Sequence, residues 1–184
     1  MDRRTFIGVV SFASYAAALA ALAQNSVDIR RIGWLDLGAP PSTTSGPLEA
    51  FRLGLRELGW IEGRNVAIET RYADDDSARL AVVTAELVAL KVDVIVTITT
   101  PAAIAAKNAT QSIPIVMAGS SSPVELGLVE SLARPGHNVT GVTNNPGRGF
   151  NQKVLQLFKE AVPDVSRVAL LWAACAWREL LPVA

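Results

Sequence analysis

The sequence predicts an α/β protein built on an open, doubly wound parallel sheet. Short apolar runs of β-type composition recur along the chain, and amphipathic helical patterns lie between them. Strand and helix alternate at about 25 to 30 residues per unit, the length of successive right-handed βαβ crossovers.

The apolar runs fall at residues 32–37, 66–70, 92–98, 113–117, 139–143 and 168–172. A continuous run such as Val92-Asp93-Val94-Ile95-Val96 suits a parallel strand buried on both faces. Between the first two runs, Leu48, Phe51, Leu55 and Leu58 line one face of a helix at spacings of three and four. Leu80, Val83, Leu87 and Leu90 repeat the pattern, as do Val124, Leu128 and Leu132, and a last helix carries Val154, Leu155, Phe158 and Ala161. Gly59 and Gly63 are placed to close the first helix and turn the chain. Asp74-Asp75-Asp76-Ser77 precedes the second helix, where carboxylates cap free amides; no further carboxylate follows at the spacing a cation loop needs. The doubly wound domain is expected from about residue 32 to about residue 143.

Composition excludes several classes. Half the residues are apolar, ample for a core, and seventeen basic residues balance seventeen acidic ones. No field favours nucleic acid or a membrane surface, and no basic cluster is interleaved with aromatics. The single Cys175 has no disulfide partner in the chain, and no Cys/His set has metal-ligand spacing.

The first 23 residues read as an export signal. Met1-Asp2-Arg3-Arg4 is a short positive segment, an apolar run follows, and Ala21-Leu22-Ala23 before Gln24 is an A-x-A cleavage pattern. The run is also just long enough to span as an uncleaved anchor, but its Ala, Ser and Gly content favours cleavage. Arg3-Arg4 resembles a twin-arginine address, which leaves the Sec and Tat routes both open.

Enzymatic motifs are missing. The first strand is not followed by G-x-G-x-x-G, and neither G-x-x-x-x-G-K-[ST] nor G-x-S-x-G occurs. The lone His137 sits in a turn-rich segment with no placed acid or nucleophile. No catalytic residue, cofactor or metal is assigned. Ligands on doubly wound sheets sit beyond the carboxyl ends of the strands, and there the chain is small and polar. Thr97-Ile98-Thr99-Thr100 leads into Pro101, and Gly119-Ser120-Ser121-Ser122 leads into Pro123. A proline at the first helical position leaves the following amides free, so two hydroxyl-rich loops, each feeding a helix N-terminus, make a carboxylate receptor. Ordinary N-capping by Thr and Ser is the competing account.

The segment Phe51-Arg52-Leu53-Gly54-Leu55-Arg56-Glu57-Leu58-Gly59-Trp60-Ile61-Glu62-Gly63-Arg64-Asn65-Val66 resembles the F-x-x-G-L-x-E-L-G-W-x-E-G-x-N-V stretch of the ABC-transporter substrate-binding family related to tryptophan- and tyrosine-binding proteins. Further matches follow in order: Ala85-Glu86-Leu87-Val88, Val92-Asp93-Val94-Ile95, Thr100-Pro101-Ala102, Ile113-Pro114-Ile115-Val116, Ser131-Leu132-Ala133-Arg134-Pro135-Gly136 and Asn138-Val139-Thr140-Gly141. The resemblance implies a type I periplasmic-binding-protein fold, with two lobes closing on a small organic solute such as an amino acid. It also implies a permease and an ATPase as partners, a periplasmic location, and contact with the membrane only through the permease. By position it implies Thr99, Thr100 and Ala102 as contacts to a ligand carboxylate, Ser120 and Ser121 beside them, and Asp36 and Asn144 as further candidates.

Residues 24–145 are then expected to form the first lobe, and 146–171 a crossover helix with the first strand of a second lobe. Residues 172–184 are a tail without family likeness. The family carries Gly where His137 stands and continues past Leu171 through a whole second lobe. The loss of likeness there suggests a frameshift or premature stop, leaving a truncated and impaired receptor. The rival readings are a small-molecule enzyme on the same scaffold, such as a racemase or hydrolase, and a sensory input domain.

Overall fold

A computed structural model describes residues 29–42 and 46–168. In chain order the elements are β1 (Arg30–Asp36), α1 (Pro47–Glu57), β2 (Val66–Tyr72), α2 (Ser77–Ala89), β3 (Val94–Thr97), α3 (Thr100–Ala109), β4 (Ile115–Ser121), β5 (Val139–Asn145) and α4 (Arg148–Ala161). The five strands form one parallel sheet in the order β2-β1-β3-β4-β5. Strand order therefore reverses between β1 and β3, the position where open α/β sheets leave a crevice at the strand carboxyl ends.

Both faces of the sheet are covered, as a doubly wound fold requires. On one face Leu35, Ile95, Ile115 and Met117 meet Leu80, Val83 and Leu87 of α2 and the alanines of α3. Leu87 is fully buried, and burying such a side chain contributes about 1.5–3 kcal/mol. Ala102, Ala103 and Ala106 are equally buried; their small side chains let α3 lie close to the strands. On the other face Ile32, Trp34, Val66 and Val96 pack with Leu48, and Phe51 and Leu55 of α1 complete the layer. The Trp34 and Phe51 rings lie 5.4 Å apart at 41°, a tilted arrangement within the favourable range for aromatic pairs.

The strand boundaries differ from the apolar runs for local reasons. β3 starts at Val94 because the Asp93 backbone and side chain both bind Arg31: its amide donates to the Arg31 carbonyl at 2.8 Å and its carboxylate accepts the Arg31 amide at 2.7 Å. β4 starts at Ile115, after Pro114, whose nitrogen has no proton to donate to a ladder. It runs on to Ser121, and β5 runs on to Asn145. The Asp76 carboxylate caps α2 by accepting the Ala78 and Arg79 amides at 2.8 and 3.3 Å, while Asp74 pairs with Arg79 at 2.6 Å. Gly59 and Gly63 take φ of 84° and 82°, as turns after α1 require.

One expected helix is not there. The Val124, Leu128 and Leu132 pattern belongs to a connection of turns between β4 and β5, so Pro123 opens a single turn rather than a helix. Gly127, at φ 63°, stops that turn, and the Leu128 amide returns to the Pro123 carbonyl at 2.8 Å. This is how a left-handed glycine ends a helix after its first turn. The Lys107 ammonium of α3 holds the Gly127 carbonyl and reaches the Leu128 carbonyl at 3.4 Å. The second helix N-terminus of the expected carboxylate receptor is therefore absent.

Among the described residues no helix is long and apolar enough to cross a membrane. The expected signal segment 1–23 and Cys175 lie outside the described residues. Val168 is not in a strand, and the remainder of the expected 168–172 strand also lies outside them.

Candidate functional site

The carboxyl ends of β3, β4 and β5 meet around the first turn of α3. Thr99 is the N-cap of α3, with extended backbone angles, yet its side chain makes no capping bond. A capping hydroxyl accepts from the second or third helical amide, and here the second position is Pro101, which has no N–H. The Thr99 hydroxyl oxygen is buried without a hydrogen-bond partner, as is that of Thr97 two residues earlier. An unsatisfied buried hydroxyl costs about 1–3 kcal/mol. The amides of Thr100 and Ala102 lie in the first turn, where no preceding helical carbonyl exists for them, and the helix dipole adds positive potential. Ala102 is fully buried, so its methyl belongs to the core.

Thr100 ties this turn to β4. Its Oγ1 accepts the Ser121 amide at 3.0 Å and lies 3.5 Å from the donating Ser120 hydroxyl. Ser120 is buried, so it supports Thr100 from behind. Ser121 is half-buried and its hydroxyl donates to the Asn144 Oδ1 at 3.4 Å. Asn144 is exposed at the end of β5. The structure thus brings Thr99, Thr100, Ala102, Ser120, Ser121 and Asn144 into one cluster.

That cluster depends on an irregular β4–β5 ladder. The register shifts between Met117 and Ser120 and again between Ser120 and Ser121. Gly141 opposes Met117 with φ 135°, and a Cβ there would overlap the Met117 carbonyl oxygen. The Thr143 hydroxyl locks the shifted strands by donating to the Ser120 carbonyl at 2.5 Å, and it accepts the Asn145 amide at 3.2 Å.

Asp36 ends β1 on the other side of β3. Its Oδ1 accepts the Gly38 amide at 3.1 Å, and burial raises its pKa, partly offset by the Gly38 and Leu37 amides. Tyr72, its register partner on β2, has its hydroxyl pKa pushed up by burial and then by the Asp36 charge. Among the described residues no three His, Cys, Asp or Glu side chains converge as a metal site needs. His137 is exposed in its turn, 3.5 Å from Glu130. Sequence reasoning passed over Thr143 and Tyr72. Thr143 ties β5 to β4 through the Ser120 carbonyl, and Tyr72 stands beside Asp36 across the β1–β2 pair; both relations join residues distant in sequence.

The family model described as ABC transporter substrate binding protein matches residues 45–176. The tyrosine-binding protein of Clostridioides difficile (strain R20291) is 34% identical over 143 residues, which cover 78% of this chain and 40% of that protein. A solved ABC domain in complex with L-Trp from Streptococcus pneumoniae is 33% identical, with a TM-score of 0.55 over 64% of this chain and 39% of that one. The ligand-free, open structure of a substrate-binding protein with adhesive properties from Clostridium difficile is 32% identical. Its TM-score is 0.61 over 71% of this chain and 44% of that one. The chain thus spans less than half the length of each of these relatives, which are binding proteins rather than enzymes. Its sheet is one lobe of a type I periplasmic-binding-protein fold, and the chain belongs to the ABC transporter substrate-binding protein family.

Proposed function

We propose that this chain supplies one wall of the solute cleft of an ABC uptake receptor, and that the wall receives the carboxylate of an amino acid at the N-terminus of α3. The observation that carries the reading is the buried, unpartnered Thr99 hydroxyl beside the free amides of Thr100 and Ala102. A ligand carboxylate would accept from the two amides and, once the Thr99 side chain turns its hydroxyl outward, from that hydroxyl too, which removes the cost of leaving it unpaired. Ser121 and Asn144 border the same point, with Ser120 holding Thr100 in place. L-Trp in one relative and tyrosine in the name of another make an aromatic amino acid the first solute to test.

The wider reading places residues 24–145 in this first lobe and 146–171 in the passage to a second. The N-terminal 23 residues direct export, with cleavage after Ala23. The receptor works in the periplasm and delivers to a permease driven by an ATPase. A two-lobed receptor of micromolar affinity has about 8 kcal/mol of binding free energy, so one wall supplying half of it binds at about millimolar strength. The 184-residue chain is therefore expected to be a weak binder.

The test is an NMR titration of the chain with L-tryptophan. Amides of Thr100, Ala102, Ser121 and Asn144 should shift at millimolar ligand. Thr99→Val should weaken the affinity about tenfold, the effect of one charge-assisted hydrogen bond. Shifts confined to other surfaces, or an unchanged affinity in Thr99→Val, would place the site elsewhere.

A further inference from the structure

We propose that the turn between α1 and β2 is a membrane-contact element: Leu58, Trp60 and Ile61 enter the surface of a lipid bilayer while the N-terminal apolar segment lies in it. The inference rests on the reading of residues 1–23 as an export segment. It concerns the opposite end of the sheet from the candidate cleft and does not depend on what the cleft binds.

The turn is built to project these side chains. Leu58 is 78% exposed, Trp60 39% and Ile61 42%, so three large apolar residues within four positions meet solvent. The backbone beneath them is tied down. The Trp60 amide donates to the Leu55 carbonyl at 2.8 Å, and the Arg64 and Asn65 amides donate to the Ile61 carbonyl at 3.0 and 3.1 Å. The Asn65 side chain closes the turn, accepting the Ile61 amide at 2.7 Å and donating to the Gly59 carbonyl at 3.0 Å. Arg52 of α1 holds Glu62 at 2.9 Å. Folding gains nothing from leaving apolar side chains in water, whereas a fixed turn presents them to a partner with little further loss of chain entropy.

The course of the N-terminal segment says what that partner is. The Arg30 amide donates to the Asn65 carbonyl at 3.1 Å, so Ile29, itself exposed, joins the fold beside this turn. Only residues 24–28 separate Ile29 from the apolar run that ends at Ala23. Five residues span at most about 18 Å, which keeps the Leu58–Ile61 face close to any bilayer that contains the run. The chemistry suits that place. An indole belongs at the membrane–water interface, where tryptophans concentrate, and Leu58 and Ile61 flank it with apolar surface. Arg31 and Arg64 are exposed at the same end and can meet lipid phosphates, while Glu57 and Glu62 offset their charge. The contact therefore rests on apolar insertion rather than on attraction to anionic lipid. In this pose the carboxyl ends of the strands face away from the bilayer, and Thr99 and Thr100 stay on the solution side.

The experiment adds the 184-residue chain to phosphatidylcholine vesicles brominated on the acyl chains near the headgroup, and compares it with Trp60→Phe. Sedimentation with the vesicles reports insertion of the N-terminal segment, and bromine quenching reports contact between a tryptophan and lipid. The other three tryptophans are common to both proteins, so the difference between the two emission spectra belongs to Trp60. That difference should fall at least about twofold relative to unbrominated vesicles. Leu58→Glu with Ile61→Glu should sediment as the parent does yet lose the Trp60 quenching. Sedimentation with an unquenched Trp60 overturns the inference, leaves the export segment standing and points to a protein partner or a second copy at the turn. Failure of the chain to sediment overturns the export-segment reading and this inference together. If Trp60→Phe does not fold, the double variant, which keeps Trp60, supplies the same comparison.

Discussion

The Thr100 hydroxyl oxygen accepts the Ser121 amide at 3.0 Å, whereas the buried hydroxyl of Thr99, one residue earlier, has no partner. Two adjacent threonines of the same chemistry thus serve the fold differently. Thr100→Val leaves the Ser121 amide unpaired and should destabilise the chain by about 1–3 kcal/mol. Thr99→Val removes an unsatisfied hydroxyl and should change stability by less than about 0.5 kcal/mol, or raise it. Urea denaturation of the two variants checks the contrast. Equal losses would show that the Thr99 hydroxyl is satisfied in solution.

Gly141 makes a second prediction. A methyl group at this position would overlap the Met117 carbonyl oxygen and lie 2.6 Å from the Met117 nitrogen, with φ at 135°. Both contacts are to backbone, so neither can be relieved by a side-chain rotation. Gly141→Ala must move β4 against β5 and disturb Ser120, Ser121 and Thr143, which depend on the register shift. The expected loss is about 2–4 kcal/mol, in the upper range for a single substitution. Thermal unfolding tests it, and a variant as stable as the parent would mean that the ladder is regular there.

The acid limb of stability should carry a contribution from Asp93. Its pKa is lowered chiefly by the hydrogen bond from the Arg31 amide, with the Arg30 side chain adding to it. A carboxyl whose folded pKa lies below its unfolded value contributes stability above the unfolded value. That contribution is lost as pH falls through the folded one. The group is largely exposed, so the contribution is below about 1 kcal/mol. Asp93→Asn should lower stability near pH 7 and flatten its dependence below about pH 4, the ordinary aspartate range. Parallel pH profiles for the two proteins would remove Asp93 from the account.

Much of the sheet was legible because buried parallel strands read as unbroken apolar runs, as at Val94-Ile95-Val96. The boundaries were less so, since the Arg31–Asp93 bonds that delay β3 join residues far apart in sequence. The Val124, Leu128 and Leu132 spacing fits a helix, but Gly127 closes the turn and Lys107 holds it from α3. Periodicity describes a face and does not reveal such a tie. At the candidate site, Thr99, Thr100 and Ser121 were legible as small polar residues at strand ends, which the structure brings together. Part of the reason that Thr99 caps nothing is readable too, from Pro101 at one of the two positions whose amide it could have bound.

The last prediction concerns α4. Its sequence is amphipathic, and Phe150, Val154, Leu155, Leu157 and Phe158 are between 43% and 58% exposed. Buried core residues lie in β1 to β5, α1 to α3 and the connections among them, and none of the described side chains of α4 is among them. An isolated helix of this length is marginal in water, because most helical stability comes from packing an apolar face. Local opening should therefore cost little in α4 and much in the sheet. Limited proteolysis of the chain should cut after Lys153 and Lys159 early, while residues 30–145 persist as a resistant fragment. The same exposed face favours self-association. Leu155→Glu with Phe158→Lys should raise solubility while shifting the melting temperature by less than about 2 °C, since neither side chain belongs to the core. Resistance at Lys153 and Lys159 equal to that of the sheet, or a large fall in melting temperature in the double variant, would mean that α4 packs against the sheet and is part of the same folding unit.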